Sequence, residues 1–312
     1  MNLNPIYQTK IFGLKNYLNE IIDLYHNNNL PNKILLTGPK GTGKSTIAYH
    51  LINYIYSNQE DYSYNKNLNE INLENKSYKL VVNGSHPNFH LIDLQEDKKN
   101  IEISQIRKMI TYTNKSNFND LPKIILINNL EKLNINSINA LLKITEEPNN
   151  NIYFIFIHNN NKKIANTIKS RCLTFKINLS FDETINITNK ILDDDIYNLL
   201  NYDLINYYTT PGELINLINF SNENKIDLKN ISLNEFLSLL INENYYKKNN
   251  FIGSIIFSYI ELYFLKIINK STNKKQINFY YSNFIHKINN TMKFNLDIDS
   301  LFMEFKSKIL NG

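Results

Sequence analysis

The stretch Lys33-Ile34-Leu35-Leu36-Thr37-Gly38-Pro39-Lys40-Gly41-Thr42-Gly43-Lys44-Ser45-Thr46 decides the fold. Its second part fits G-x-x-x-x-G-K-[ST] at every fixed position, and the apolar run before it reads as a strand. After it, Lys44–Ser57 has the spacing of an amphipathic helix. Strand, glycine-rich turn and helix in that order make a phosphate cradle. The glycines let backbone N–H groups curl around an anion, and the helix N-terminus adds partial positive charge. Lys44 can reach terminal phosphates, and the Ser45 hydroxyl is a hard oxygen ligand for Mg²⁺. The expected cofactor is ATP or ADP with Mg²⁺. It would be held by Gly38, Pro39, Lys40, Gly41, Thr42, Gly43, Lys44, Ser45 and Thr46. A fortuitous glycine-rich turn is the competing reading, and the flanking strand and helix count against it.

Outward from the loop, apolar runs alternate with helical stretches, as a parallel α/β sheet requires. Strands are expected at Lys33–Thr37, Phe89–Asp93, Lys123–Asn128, Ile152–His158 and Cys172–Ile177. Helices are expected near Lys44–Ser57, Ser104–Thr113, Ser137–Thr145 and Lys162–Ser170. Ile124–Ile127 and Ile152–Ile157 are almost wholly apolar, as strands covered on both faces should be. The polar segment Asn58–Ser77 reads as a long surface excursion. After Ile177 the strands stop. Capping-box pairs Ser180/Glu183 and Ser232/Glu235 open helices, and helical patterns follow at Glu213–Phe220, Leu233–Ile241, Phe251–Ile268, Lys275–Met292 and Ser300–Leu310. Phe257, Ile260 and Phe264 recur at helical spacing and read as the core of a bundle.

The strand at Lys123 should end in an acid that organises Mg²⁺ and an attacking water. It ends instead in Asn128-Asn129, and Glu131, two residues on, is expected to point elsewhere. An amide cannot act as a base and is a weaker Mg²⁺ ligand than a carboxylate. The sequence thus describes a site built to hold nucleotide and poorly equipped to hydrolyse it.

Composition narrows the rest. Of 312 residues, 42% are hydrophobic and 20% charged, which excludes wholesale disorder. A single cysteine, Cys172, excludes an internal disulfide framework and a cysteine-rich zinc module, so no zinc is expected. Cys172 itself reads as a small packed residue. His86 and His90 lack a third ligand at suitable spacing and read as structural. No signal peptide is recognisable at the N-terminus. The most apolar run, Ile255–Ile268, is interrupted by Ser258, Glu261 and Lys266, so no membrane span is expected and the expected compartment is the cytoplasm. A net charge of +5 is compatible with nucleic-acid work without demonstrating it. Lys and Arg total 34, yet only Arg107 and Arg171 are arginines. Arginine makes planar bidentate contacts to phosphate that lysine cannot, so these two positions stand out.

Several stretches taken together resemble one family. They are Gly38–Ser45; Gly84-Ser85-His86-Pro87-Asn88-Phe89-His90-Leu91; Ile103–Arg107; Asn139-Ala140-Leu141-Leu142-Lys143-Ile144-Thr145-Glu146-Glu147-Pro148; and Ser170-Arg171-Cys172. In this order they resemble the clamp-loader subunits of bacterial DNA polymerase III, the delta-prime group most closely, over about the first 180 residues. The resemblance implies an AAA+ P-loop domain with a five-stranded parallel sheet (1–178), a small helical lid (179–225) and an all-α collar (226–312). It implies a pentameric hetero-oligomer with gamma/tau and delta subunits that loads a sliding clamp onto primed DNA. Arg171 matches the arginine that reaches a neighbour's γ-phosphate, His158 or Asn159 the polar γ-phosphate sensor, and Lys143 a position near the DNA backbone. Arg107 is a weaker candidate for an interface or DNA. The gamma/tau group carries a zinc-binding cysteine cluster and an acidic strand end; this chain has neither. Many lids supply a further arginine, where this chain has Thr210-Pro211-Gly212-Glu213. The alternatives are a self-sufficient P-loop ATPase of the gamma/tau kind, a nucleotide kinase, or a purely structural ring subunit.

Overall fold

The computed structural model describes residues 3–95, 98–115, 119–146, 151–160, 163–270, 273–294 and 296–310. Glu147 and Pro148 of the family motif, and Lys162 at the start of an expected helix, lie outside them. The chain divides into two compact units, residues 1–191 with 210–213, and residues 192–209 with 214–312.

In the first unit five parallel strands run β1 (Lys33–Thr37), β2 (Phe89–Ile92), β3 (Lys123–Ile127), β4 (Ile152–His158) and β5 (Leu173–Lys176), in the spatial order β2-β3-β4-β1-β5. Helices α1 (Lys15–His26), α2 (Lys44–Ser57), α3 (Lys76–Val82), α4 (Ile103–Thr113), α5 (Ile135–Glu146), α6 (Asn166–Lys169) and α7 (Phe181–Leu192) accompany them. Because successive strand side chains point to opposite faces, each inner strand feeds two cores. Ile34, Leu36, Ile124, Leu126, Ile155 and Ile157 join Leu18, Ile22, Ile47 and Leu51 of α1 and α2. Leu35, Ile125, Ile127, Phe154 and Phe156 join Ile106, Met109 and Leu141 of α4 and α5. Cover on both faces is why these strands are apolar without alternation. Because all five strands run parallel, every loop leaving a carboxyl end gathers on one edge of the sheet, where open α/β folds bind ligands.

The segment 58–77 is a correction to its reading as surface. Tyr64, Asn69, Ile71 and Asn75 are buried, and the Ile71 N–H donates to Thr9 O at 2.9 Å. The Glu60 carboxylate accepts from Asn75 Nδ2, Ser77 N and Ser77 Oγ at 2.7–3.0 Å, so the excursion is stitched down by the Glu60 side chain instead of by a strand.

The second unit is helical: α8 (Ile196–Leu199), most of α9 (Pro211–Asn224), α10 (Leu233–Asn242), α11 (Tyr245–Lys248), α12 (Asn250–Lys270), α13 (Lys274–Phe294) and α14 (Ile298–Phe305). By length and composition α12 could cross a membrane. Here its Ile252, Ile256, Ile260 and Phe264 are buried, with Phe264 among the rings of Tyr281, Phe284 and Phe305. The Lys266 ammonium pairs with Asp203 at 2.7 Å.

Candidate functional site

The loop between β1 and α2 is organised around Lys44. Its Nζ is buried and donates to Gly38 O (3.0 Å), to Pro39 O and to Thr42 Oγ1 (3.5 Å). Burial pulls its pKa down to about 8, and the nearby Glu131 carboxylate offsets part of that fall. An anionic ligand at the loop would restore the ammonium fully.

A second segment lies against the loop. Thr210-Pro211-Gly212-Glu213 forms a capping box for α9: Thr210 N donates to Glu213 Oε2 (3.1 Å) and Glu213 N to Thr210 Oγ1 (3.4 Å). The Thr210 hydroxyl donates to Lys40 O at 2.8 Å, and Gly212 N to Gly41 O at 3.0 Å. Two glycines make this approach possible. Gly41 has φ +88°, and a Cβ on Gly212 would sit 2.7 Å from Gly41 Cα. Glu213 therefore serves as a helix cap. Burial raises its pKa, against hydrogen bonds from Thr210 and the charge of Lys40.

The carboxyl ends of β2, β3 and β4 carry one connected polar network. Asp93, just past β2, accepts from Asn128 Nδ2 (2.9 Å), Asn129 Nδ2 (2.7 Å) and Leu94 N (2.7 Å). Asn128 Oδ1 accepts from the Ser45 hydroxyl at 3.4 Å. Asn159 Nδ2 donates to Asn129 Oδ1 (2.9 Å) and to Glu131 Oε1 (3.2 Å), and Asn159 N to Glu131 Oε2 (3.2 Å). Of the two sensor candidates, Asn159 joins this network. His158 Nδ1 instead lies 3.0 Å from Thr37 Oγ1 on β1. Glu131 corrects the expectation: it turns back to Asn159 and lies close enough to Lys44 to act on its charge. Asp93, which sequence reading treated only as a strand end, is the hub.

The remaining candidates lie elsewhere. Arg171 is exposed after α6, its Nη1 donating to Thr167 O at 3.0 Å. Arg107 on α4 and Lys143 in the last turn of α5 are exposed. Burial pushes the Cys172 thiol up to about 11, as for a packed, unreactive residue. His86 stacks on Tyr56 (4.1 Å between centroids) and His90 on Tyr112 (5.1 Å), so both imidazoles are engaged in packing.

Sheet order, loop and strand-end network define a P-loop α/β protein of the AAA+ kind, with a helical unit after it. Residues 13–180 match the family model described as "DNA polymerase III, delta subunit". The chain belongs to that family, on its delta-prime side, and so to the clamp-loader type of DNA polymerase III subunit. It is 29% identical over 139 residues to the delta' subunit of Pseudomonas aeruginosa, covering 45% of this chain and 40% of that one. It is 30% identical over 246 residues to the gamma subunit of Buchnera aphidicola subsp. Schizaphis graminum, covering 77% of this chain and 59% of that one. The match thus spans less than two thirds of either relative. The delta' subunit of Buchnera aphidicola subsp. Baizongia pistaciae matches more fully, at 25% identity over 97% of this chain and 82% of its own. Among solved structures, a gamma subunit-related protein from Thermotoga maritima aligns at 15% identity and a TM-score of 0.46, covering 93% of this chain and 95% of that one.

Proposed function

We propose that the chain is a delta-prime-type subunit of a pentameric loader built with gamma/tau and delta subunits, which opens a sliding clamp and places it on primed DNA. It holds ATP or ADP with Mg²⁺ in its own P-loop, hydrolyses little or none, and lends Arg171 to a neighbour's nucleotide. The observation that carries this reading is an intact loop around Lys44 beside a β3 end that offers the Asn128 amide where a carboxylate would be needed. The two carboxylates close by do not replace it as a base. Asp93 accepts three N–H donors, and Glu131 is spanned by Asn159, so both are committed to holding amides.

The donor set suits the cofactor. Ser45 Oγ and Asn128 Oδ1 are hard oxygens with a carboxylate behind them, which fits Mg²⁺ and not a soft metal. When bound, the ion would neutralise phosphate charge. The chain's own residues do the remaining work. Lys44 and the first N–H groups of α2 bind phosphate oxygens, Thr210 and Gly212 fix the outer wall of the loop, and Asn159 stands where a terminal phosphate would be read. Division into AAA+ domain, lid and collar at 178/179 and 225/226 belongs to the same proposal. So do contacts of the exposed Lys143 and Arg107 with the DNA backbone.

The test is reconstitution. The chain should co-purify with gamma/tau and delta subunits, and Arg171→Ala and Arg171→Lys should both assemble normally. Both should impair DNA- and clamp-stimulated ATPase, because lysine keeps the charge and loses the planar fork. Arginine fingers contribute about 10³–10⁵ in rate, and a smaller loss is expected where one of several interfaces is damaged. Unchanged ATPase and loading in both variants would reduce Arg171 to a surface ion pair.

A further inference from the structure

We infer that Asp93 is a positioning residue for the cation side of the loop. It fixes the Asn128 amide with its oxygen toward Ser45, and so lets an amide do the ligand-organising work of an acid. The inference rests on the nucleotide-binding reading above.

An amide presents an acceptor on one side and a double donor on the other, and the two are nearly equal in shape. Which side faces the loop decides what Ser45 can do. Asn128 as placed donates through Nδ2 to Asp93 and accepts the Ser45 hydroxyl proton on Oδ1. With its proton committed to Asn128, the Ser45 oxygen keeps its lone pairs for a cation. A flipped amide would donate to Ser45 Oγ, consuming a lone pair, and would aim N–H dipoles at the place a cation must occupy. The carboxylate forbids the flip: it has no hydrogen to offer, so only the NH₂ side of Asn128 can face it.

Position in the fold supports the assignment. Asn128 N donates to Ile92 O at 2.9 Å, which holds the end of β3 in register with the end of β2 and keeps Asp93 beside the amide. The other Asp93 oxygen takes the Asn129 amide, whose Oδ1 then faces Asn159. One carboxylate therefore sets two consecutive amides, one toward the P-loop and one toward β4. Asp93 is the only acid placed to do this among the described residues, since Glu131 is bonded to Asn159. An oxygen facing Ser45 can thus come from an asparagine on β3 provided that an acid stands behind it on β2.

The experiment is a titration of the full chain with a fluorescent ADP analogue, once in magnesium chloride and once in EDTA. The ratio of the two dissociation constants is the readout. In the unaltered chain Mg²⁺ should tighten binding about tenfold, an ordinary size for coupling between two ligands. Asp93→Asn and Asn128→Ala should each cut that ratio to about twofold or less, and Asp93→Asn should do so while leaving affinity in EDTA within about twofold. The exchanged pair Asp93→Asn/Asn128→Asp, which puts the carboxylate directly before Ser45, should restore the ratio. An unchanged ratio in Asp93→Asn overturns the inference. So does equal loss of affinity in both buffers, which marks a merely structural residue. Absence of binding by the unaltered chain in either buffer would instead bring down the nucleotide-binding reading, and this inference with it.

Discussion

At the scale of single residues, Lys44 makes the site sensitive to alkali. Its pKa of about 8 lies below the ordinary lysine value because the ammonium is buried. Bound phosphate would favour the charged form, so binding should take up a proton once the pH passes 8. Fractional protonation falls about tenfold between pH 7 and pH 9, and nucleotide affinity should fall by about the same factor. Isothermal titration at the two pH values in buffers of different ionisation enthalpy would show both the loss and the proton uptake. A flat profile would place the Lys44 pKa at its ordinary value. The phosphate loop was fully legible in the sequence because its fixed positions are contiguous. Asp93 and Glu131 were not. Asp93 is 35 residues from the Asn128 amide it holds, and only the β2–β3 register brings them together. Glu131 follows Asn129, whose φ of +53° turns the chain back toward β4, and an asparagine in so asparagine-rich a sequence does not announce such a turn.

At the scale of elements, the first turn of α9 is the part of the site most exposed to a single methyl group. Gly212→Ala would place a Cβ against the Gly41 backbone, which cannot step aside as a flexible side chain could. It should destabilise the first unit by about 1–3 kcal/mol, as overpacking does elsewhere. It should also weaken ADP binding several-fold by freeing the Lys40 and Gly41 carbonyls. Urea unfolding beside an ADP titration measures both, and wild-type values in each would mean that the segment does not brace the loop. The pattern Thr210-x-x-Glu213 is a capping box legible in the sequence itself. The five strands were legible to within a residue or two because two-sided burial leaves uninterrupted Ile, Leu and Phe runs. Helix α1 was missed although Leu18, Ile21 and Ile22 have helical spacing, since Leu14 at its N-cap supplies no capping side chain. Helix α3 was missed because its cap, Asn75, is one asparagine among many.

At the scale of the whole molecule, acid should act through two buried histidines of the first unit. His50 is held between Tyr64 OH (2.9 Å) and Gln8 O (3.0 Å), and His86 lies flat on Tyr56. Burial draws both down to about 4. The folded value lies below the unfolded one, so this stability is present above pH 6.5 and is lost as the pH falls toward 4. At pH 5 the loss should be about 2 kcal/mol for His50 and smaller for the less enclosed His86. The urea midpoint should drop between pH 7 and pH 5, and His86→Phe, which keeps a ring on Tyr56, should remove the smaller part of that drop. Division of labour between a binding loop and an exposed arginine is the central claim, and nucleotide handling by the isolated chain tests it most directly. Binding of a fluorescent ADP analogue and steady-state ATP turnover should be measured together on the unaltered chain and on Lys44→Ala. The account predicts saturable binding that Lys44→Ala abolishes, with turnover no higher in the unaltered chain than in the variant. Robust turnover that disappears in Lys44→Ala would contradict it, and would make this subunit an ATPase in its own right.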